Sequence, residues 1–252
     1  MKKYDVIIVG AGIAGMTAAI YAQRAGKSAL VLEGRMHGGQ IINTINIENW
    51  PGDFGVSGAD LSQKIFDQTV KLGAEVEYDE AVGIEEQDGG FSVKSEDAEY
   101  LADKIILAVG TEPRRLSEKQ AKDAGKRAIS YCATCDGALY KGKPVVVVGS
   151  GNTAKHEIKY LENIASKVYH IHHDDPIPED AEAVFVAIGR IPNTEFLEGF
   201  VDLDEYGYII AGEDCKTSRA GVFAVGDCRT KSVRQLVTAA ADGAAAISEL
   251  FS

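Results

Sequence analysis

The chain has 252 residues, 45% of them hydrophobic, enough to bury a sizeable core in one or two domains. A net charge of −12 excludes non-specific attraction to nucleic acid or anionic lipid. With no stretch of about 18 consecutive apolar residues, no membrane partner is expected, and a soluble cytoplasmic protein is.

YDVIIVG, Tyr4 to Gly10, is a continuous apolar, mostly β-branched run and predicts a buried strand. It leads into GAGIAG, whose Gly10, Gly12 and Gly15 permit a tight turn, and MTAAIYAQRAG follows as a helix closed by Gly26. SALVLE predicts a second strand ending in Glu33, roughly 20 residues beyond the glycines, where a carboxylate can accept hydrogen bonds from a ribose hydroxyl. Strand, glycines, helix, strand and terminal acid in this order predict dinucleotide binding. AEVEYDEAVGIEE and GFSVKS, joined by QDGG, predict an antiparallel meander, and KIILAVGTEPR closes the unit.

Within Pro113 to Arg127, six basic residues (Arg114, Arg115, Lys119, Lys122, Lys126 and Arg127) stand against two acidic ones in an otherwise acidic chain. Such a run is either a solvated hinge or a patch that steers an acidic protein. CATCDG then places Cys132 and Cys135 at a spacing where a disulfide is easily made and broken. Half a zinc site is the alternative, with His170, His172, His173, Cys215 or Cys228 completing it, although no second CxxC or spaced His pair of the usual kind is present. Four cysteines are too few for a disulfide scaffold, and Cys215 and Cys228 read as buried small hydrophobes, with a minor redox role kept open for Cys228.

The first pattern then repeats. KPVVVVGSGNTA is strand and glycine turn, HEIKYLENIA a helix, KVYHIHH a second strand and AVFVAIGRIPN the close. Gly10 and Gly110 are 100 residues apart, but Gly149 and Gly189 only 40, which leaves no room for a meander. Beyond Gly189 a hairpin around DEYGYI, the strand GVFAVGD and the helix RQLVTAAADGAAAISEL read as completion of the first unit. The expected fold is therefore α/β with two Rossmann-like units, the second much shortened, of about three parallel strands, and inserted in the first.

GAGIAG, GGQI with ENWPG, CATCDG just before the second glycine turn, and TSRAGVFAVGDCRTKSVRQLVTAAADGA occur in an order that resembles the low-molecular-weight thioredoxin reductases of the flavin disulfide oxidoreductase superfamily. The likeness covers the whole chain. It implies an FAD-binding domain over residues 1–114 and 189–252, a CxxC-bearing, NADPH-type domain over 115–188, and a homodimer. It also implies that Gly10, Gly12, Ile13 and Ala14 let the backbone approach the FAD pyrophosphate at a helix N-terminus, and that Glu33 holds the adenosine ribose. Gly39, Gln40 and Asn49 would line the flavin side, Asp227 the ribityl and pyrophosphate region, and Arg234 with Gln235 the isoalloxazine edge. Val82 and Gly110 complete the cofactor-binding set. Cys135 is implied as the thiol beside the flavin, Cys132 as the thiol that attacks the partner disulfide, and Asp136 as the acid or base. A pair that must meet both flavin and a bulky partner implies movement of the second domain.

The resemblance departs at one place. Where NADPH-dependent members carry His-Arg-Arg to hold the 2′-phosphate, this chain reads His172, His173, Asp174, Asp175, and two carboxylates repel a phosphate. NADPH therefore fits poorly. Asp174 could instead accept a ribose 2′-hydroxyl of NADH. The expected donor is ferredoxin or another low-potential carrier, favoured by the basic run, and the expected acceptor is thioredoxin or a similar protein. The rival reading is a flavoprotein that no longer catalyses, or an NADPH-dependent reductase whose second domain was cut down.

Overall fold

The computed structural model describes residues 2–251, which divide into two compact units, 2–112 with 192–251, and 113–191. In the first unit β1 (Lys3–Val9) is buried from Val6 to Val9 and leads into α1 (Ile13–Arg24). The next strand, β2 (Ala29–Leu32), returns parallel to β1, with Val6 opposite Ala29. Helix α2 (Gly58–Lys71) follows, capped by Ser57, whose side chain accepts the Asp60 N–H. Beyond it, β3 (Glu75–Glu77) pairs parallel with β2 as the sheet edge. This corrects the expected meander, because AEVE belongs to the parallel sheet. A strand that follows a crossover helix returns parallel, and α2 is that helix.

The antiparallel part is confined to β4 (Ala81–Gln87), β5 (Gly90–Ser95) and β6 (Glu99–Leu107). Asp88 and Gly89 turn the chain between the first two, with Gly89 at φ +80. The far half of β6 lies parallel to β1, Ile105 opposite Ile7, so one strand joins the parallel and antiparallel parts of a single sheet. The first chain crossing, β7 (Thr111–Pro113), leaves this unit.

The second unit opens with α3 (Glu118–Ala124), capped by Ser117, and β8 (Ala128–Ser130). A one-turn helix, α4 (Ala133–Asp136), precedes β9 (Pro144–Val148), α5 (Asn152–Leu161), β10 (Lys167–Ile171) and β11 (Ala183–Val186). All four strands are parallel, in the order β10-β9-β11-β8. The fourth, β8, exceeds the three expected: three residues beside turn signals carry no visible period. Val145 to Val148 are fully buried, as a central parallel strand requires.

The basic run is not one surface. Arg127 turns inward and donates to the carbonyls of Ala181 (2.7 Å), Glu179 (2.8 Å) and Asp123 (3.0 Å), while Arg114, Arg115, Lys119, Lys122 and Lys126 are exposed. Fully buried Gln120 donates to His172 O and Asp175 O, tying α3 to the segment after β10.

The second crossing, β12 (Arg190–Pro192), returns the chain to the first unit, where β13 (Val222–Ala224) joins β6 in parallel and α6 (Leu236–Leu250) packs on α1. Among the described residues no helix is long and apolar enough to cross a membrane.

Candidate active site

Gly10 ends β1 at φ +108, donates its N–H to Leu32 O (2.8 Å), and has no space for a side chain: a Cβ there would lie 2.4 Å from Ala108 O. Gly15 is equally constrained, its Cβ falling 1.9 Å from Gly10 O, so α1 can approach β1 only with glycine at that position. Gly12 is different. It is the extended N-cap of α1, offers no side-chain cap, and a Cβ on it would meet nothing within 4 Å. Ile13 and Ala14, buried, begin the helix whose unpaired amides face this open cradle.

Glu33 follows β2, and its carboxylate accepts the N–H of Ala11 (2.8 Å) and of Arg35 (3.1 Å), which brings the strand-end acid to the glycine turn. Val82 is exposed on β4, two residues beyond Glu80, whose side chain a Cβ on Gly34 would meet at 2.9 Å. Gly39 adjoins the cradle: its Cβ would lie 3.5 Å from Gly12 Cα. Gln40 donates to Thr111 O at 2.6 Å, next to Gly110, where again a Cβ would meet nothing within 4 Å. Asn49 donates to the side-chain oxygen of Gln235 at 3.1 Å across 186 positions of sequence. Gln235 is the N-cap of α6, its N–H donating to Thr238 Oγ1. Arg234 folds back on the loop before α6, donating to Asp227 O (3.2 Å), Arg229 O (3.1 Å) and Lys231 O (3.2 Å), with its guanidinium over the Tyr208 ring.

The sequence reading missed what holds that loop. Asp242 of α6 is buried and accepts the Gly226 N–H (2.8 Å), Arg229 (2.8 and 3.0 Å) and Lys231 (2.8 Å). Burial opposes its ionisation, but the hydrogen bonds from Arg229 and Lys231 outweigh it and hold the carboxyl below its ordinary value. Arg229 and Lys231 bracket the Asp242 carboxylate, with Glu213 a further 3.9 Å from Arg229, and the acid in AADGA was the visible sign of this knot. Cys215 and Cys228 are buried free thiols, pushed by burial up to about 12 and about 11 respectively, so both stay protonated.

In the second unit Cys132 and Cys135 form a disulfide, their Cα atoms 5.3 Å apart. Cys132 is the N-cap of α4 and half-buried, whereas Cys135 is exposed. Asp136 accepts the Ser130 hydroxyl at 2.6 Å, and the same oxygen accepts the Cys132 N–H at 3.2 Å, so Ser130 joins the carboxylate to the cysteine backbone. Thr134 Oγ1 lies 3.3 Å from Cys132 Sγ. Ser130 and Thr134 escaped sequence reasoning, having no motif of their own; their nearness to CATC was the available signal. Among the described residues no group of three or more His, Cys, Asp or Glu could hold a metal ion.

The second glycine turn repeats the first in outline. Gly149 donates to Ile171 O (3.0 Å), and Gly151 is the N-cap of α5, again with nothing within 4 Å of an added Cβ. The His170 ring contacts Gly149 O at 2.6 Å. Past β10, Asp175 accepts the His172 N–H (2.8 Å), and exposed Asp174 stands at φ +75, its carboxyl held down by a Ser117 hydrogen bond and by His173.

A family profile described as pyridine nucleotide-disulphide oxidoreductase matches residues 4–179 and 172–243. Thioredoxin reductase of Bacillus subtilis (strain 168) is 36% identical over 293 residues, with 97% of this chain and 93% of that protein covered. The chain belongs to the low-molecular-weight thioredoxin reductase family. The thioredoxin reductase structure from Streptococcus pyogenes MGAS5005 superposes with a TM-score of 0.91 at 32% identity, covering 99% of this chain and 97% of that one. A ferredoxin-flavin thioredoxin reductase from Clostridium acetobutylicum gives a TM-score of 0.63 at 26% identity, covering 99% and 96%. As a thioredoxin reductase-like flavoenzyme the chain is implied to use FAD. The open cradle at Gly12, Gly39 and Gly110, with helix amides on one side and Glu33 on the other, fits a dinucleotide of that kind.

Proposed function

We propose that the chain reduces the disulfide of thioredoxin or a thioredoxin-like protein through Cys132 and Cys135, working as a homodimer, with an electron donor other than NADPH. The observation that carries the reading is the Cys132–Cys135 disulfide beside Asp136. FAD, held by Gly10, Gly12, Ile13, Ala14, Glu33, Gly39, Gln40, Asn49, Val82, Gly110, Asp227, Arg234 and Gln235, would supply the two electrons that open it. Once the pair is a dithiol, the Cys132 thiolate attacks one partner sulfur and the other partner sulfur leaves as thiolate. Cys135 then attacks Cys132 Sγ, the mixed disulfide breaks, and Cys132–Cys135 re-forms while the partner departs with two electrons and two protons. Asp136, oriented by Ser130, is the group that moves a proton at these sulfurs.

Three features support the donor assignment. Asp174 and Asp175 follow β10, where a 2′-phosphate requires guanidiniums. The alignment with the Bacillus subtilis protein runs over 293 positions although this chain has 252 residues, consistent with a shortened second unit. The Clostridium acetobutylicum protein, a ferredoxin-flavin thioredoxin reductase, pairs this architecture with ferredoxin, and five exposed cations between Arg114 and Lys126 suit an acidic protein. Anaerobic mixing with NADPH, NADH or reduced ferredoxin, read as loss of flavin absorbance, tests it. Rapid bleaching by micromolar NADPH overturns the donor assignment, and bleaching by NADH alone makes Asp174 the ribose ligand. Cys135→Ser, incubated with oxidised thioredoxin, should accumulate a mixed disulfide at Cys132; accumulation instead in Cys132→Ser reverses the two roles.

A further inference from the structure

Glu157 is a half-buried acid, its Oε2 fully enclosed, that the dithiol chemistry above leaves unused. It lies on α5, which packs against α4, β9 and β10. Its carboxyl accepts the N–H of Ala133, the residue directly after Cys132, and its Oε2 is buried with no hydrogen-bond partner. Around it, β9 offers only valines after Pro144, and Asp136 of α4 is bonded to Ser130. On β10, Lys167 and Tyr169 bond to each other and to Asp180, and His170 is on Gly149 O. Its neighbours on α5, Lys155, His156 and Lys159, are exposed. Arg190 of β12 is the cation whose field reaches it. One backbone hydrogen bond and the field of one guanidinium are weak compensation for a carboxylate whose Oε2 is buried without a partner.

We propose that Glu157 is a positioning residue for the Cys132–Cys135 couple, holding the CxxC turn through Ala133 and taking up a proton from solvent when the disulfide is reduced. The inference rests on that disulfide being the working pair. Reduction turns one neutral S–S bond into two thiols, with two electrons from the donor and two protons from solvent. Any fraction ionised as thiolate adds negative charge one residue from the Ala133 N–H. A carboxylate with an orphaned oxygen has no second donor with which to resist, so it binds a proton. Reciprocally, the carboxylate form disfavours the reduced pair. Burial pushes the Glu157 carboxyl up to about 7, against the Ala133 N–H and Arg190, which places this exchange in the physiological range.

The test equilibrates the holoenzyme with reduced and oxidised dithiothreitol between about pH 6 and about pH 8, quenches with acid, and counts thiols by mass after alkylation in denaturant. Both couples take two protons, so their intrinsic pH dependences cancel. The exchange constant of the wild type divided by that of Glu157→Gln should fall by about three- to tenfold over this range, since one extra proton is worth up to tenfold per pH unit. A ratio independent of pH overturns the inference and leaves the dithiol reading standing. Failure of Cys132–Cys135 to exchange at any pH overturns both. Should Glu157→Gln not fold, an infrared difference spectrum of Asp136→Asn at about pH 7.5 serves instead: protonated-carboxyl absorbance gained on reduction supports the proposal, and no gain overturns it.

Discussion

At Gly10 and at Gly149 the chain makes the same turn. Each glycine donates to the last residue of the neighbouring strand, Leu32 or Ile171, and a Cβ on either would strike a carbonyl, Ala108 O at 2.4 Å or Ala187 O at 2.3 Å. Each is followed by a helix capped by a glycine that opens on free space. What differs is the residue brought to the turn. In the first unit Glu33 accepts the Ala11 N–H, whereas in the second a His170 ring sits on Gly149 O and two aspartates follow. The turn therefore states only that a phosphate could approach a helix end; the strand-end side chains decide which ligand is welcome.

The most severe way to break this parallel is a charge in one cradle. A Cβ at Gly12 meets nothing within 4 Å, and Gly12→Asp places a carboxylate beside the amides that open α1; flavin retained after desalting should fall at least about a hundredfold. Gly151→Asp, its counterpart, should leave flavin content unchanged. Next in size, Gly10→Ala and Gly149→Ala each force a backbone carbonyl aside at positive φ and should cost about 2–4 kcal/mol, seen as a lowered Tm of the unit concerned.

A third prediction concerns pH. Because Glu157 has a folded pKa raised to about 7 from 4.5, the folded state binds more protons than the unfolded state between those values. Stability of the second unit therefore declines as pH rises through that window, by about 3 kcal/mol in all. Glu157→Gln should flatten this decline in denaturant titrations from about pH 5 to about pH 8. The smallest effect sharpens the comparison: replacing Asp174 and Asp175 together by arginine should raise NADPH-driven flavin bleaching by no more than about tenfold, because guanidiniums restore charge but not the meander for which the 40-residue spacing leaves no room. A larger gain would make strand-end charge, rather than length, the determinant.

Both glycine turns, the Glu33 acid and the CxxC were legible because each is a local signal in which a few adjacent residues carry the whole geometry. Elements defined by distant partners were not. The AEVE strand read as meander because its alternation is identical in either orientation; only α2, announced by Ser57 and Asp60, tells that the chain has crossed over. Arg127 read as part of a surface patch because its four carbonyl partners come from two segments up to 54 residues away. Asp242, Ser130 and Glu157 have the same character: ordinary residues made functional candidates by what the fold sets opposite them.

The insertion also defines what can be taken apart. Where the chain leaves and re-enters the first unit, Asn193 donates its N–H to Gly110 O at 3.2 Å and its side chain to Val109 O at 2.9 Å, so the two severed ends of that unit are already neighbours. A graft of a few glycines from Glu112 to Pro192 would bridge them without stretching either strand, yielding a minimal single-unit protein of residues 1–112 and 192–252. The CxxC module is thus a cassette, and the first unit a socket whose closure does not depend on it.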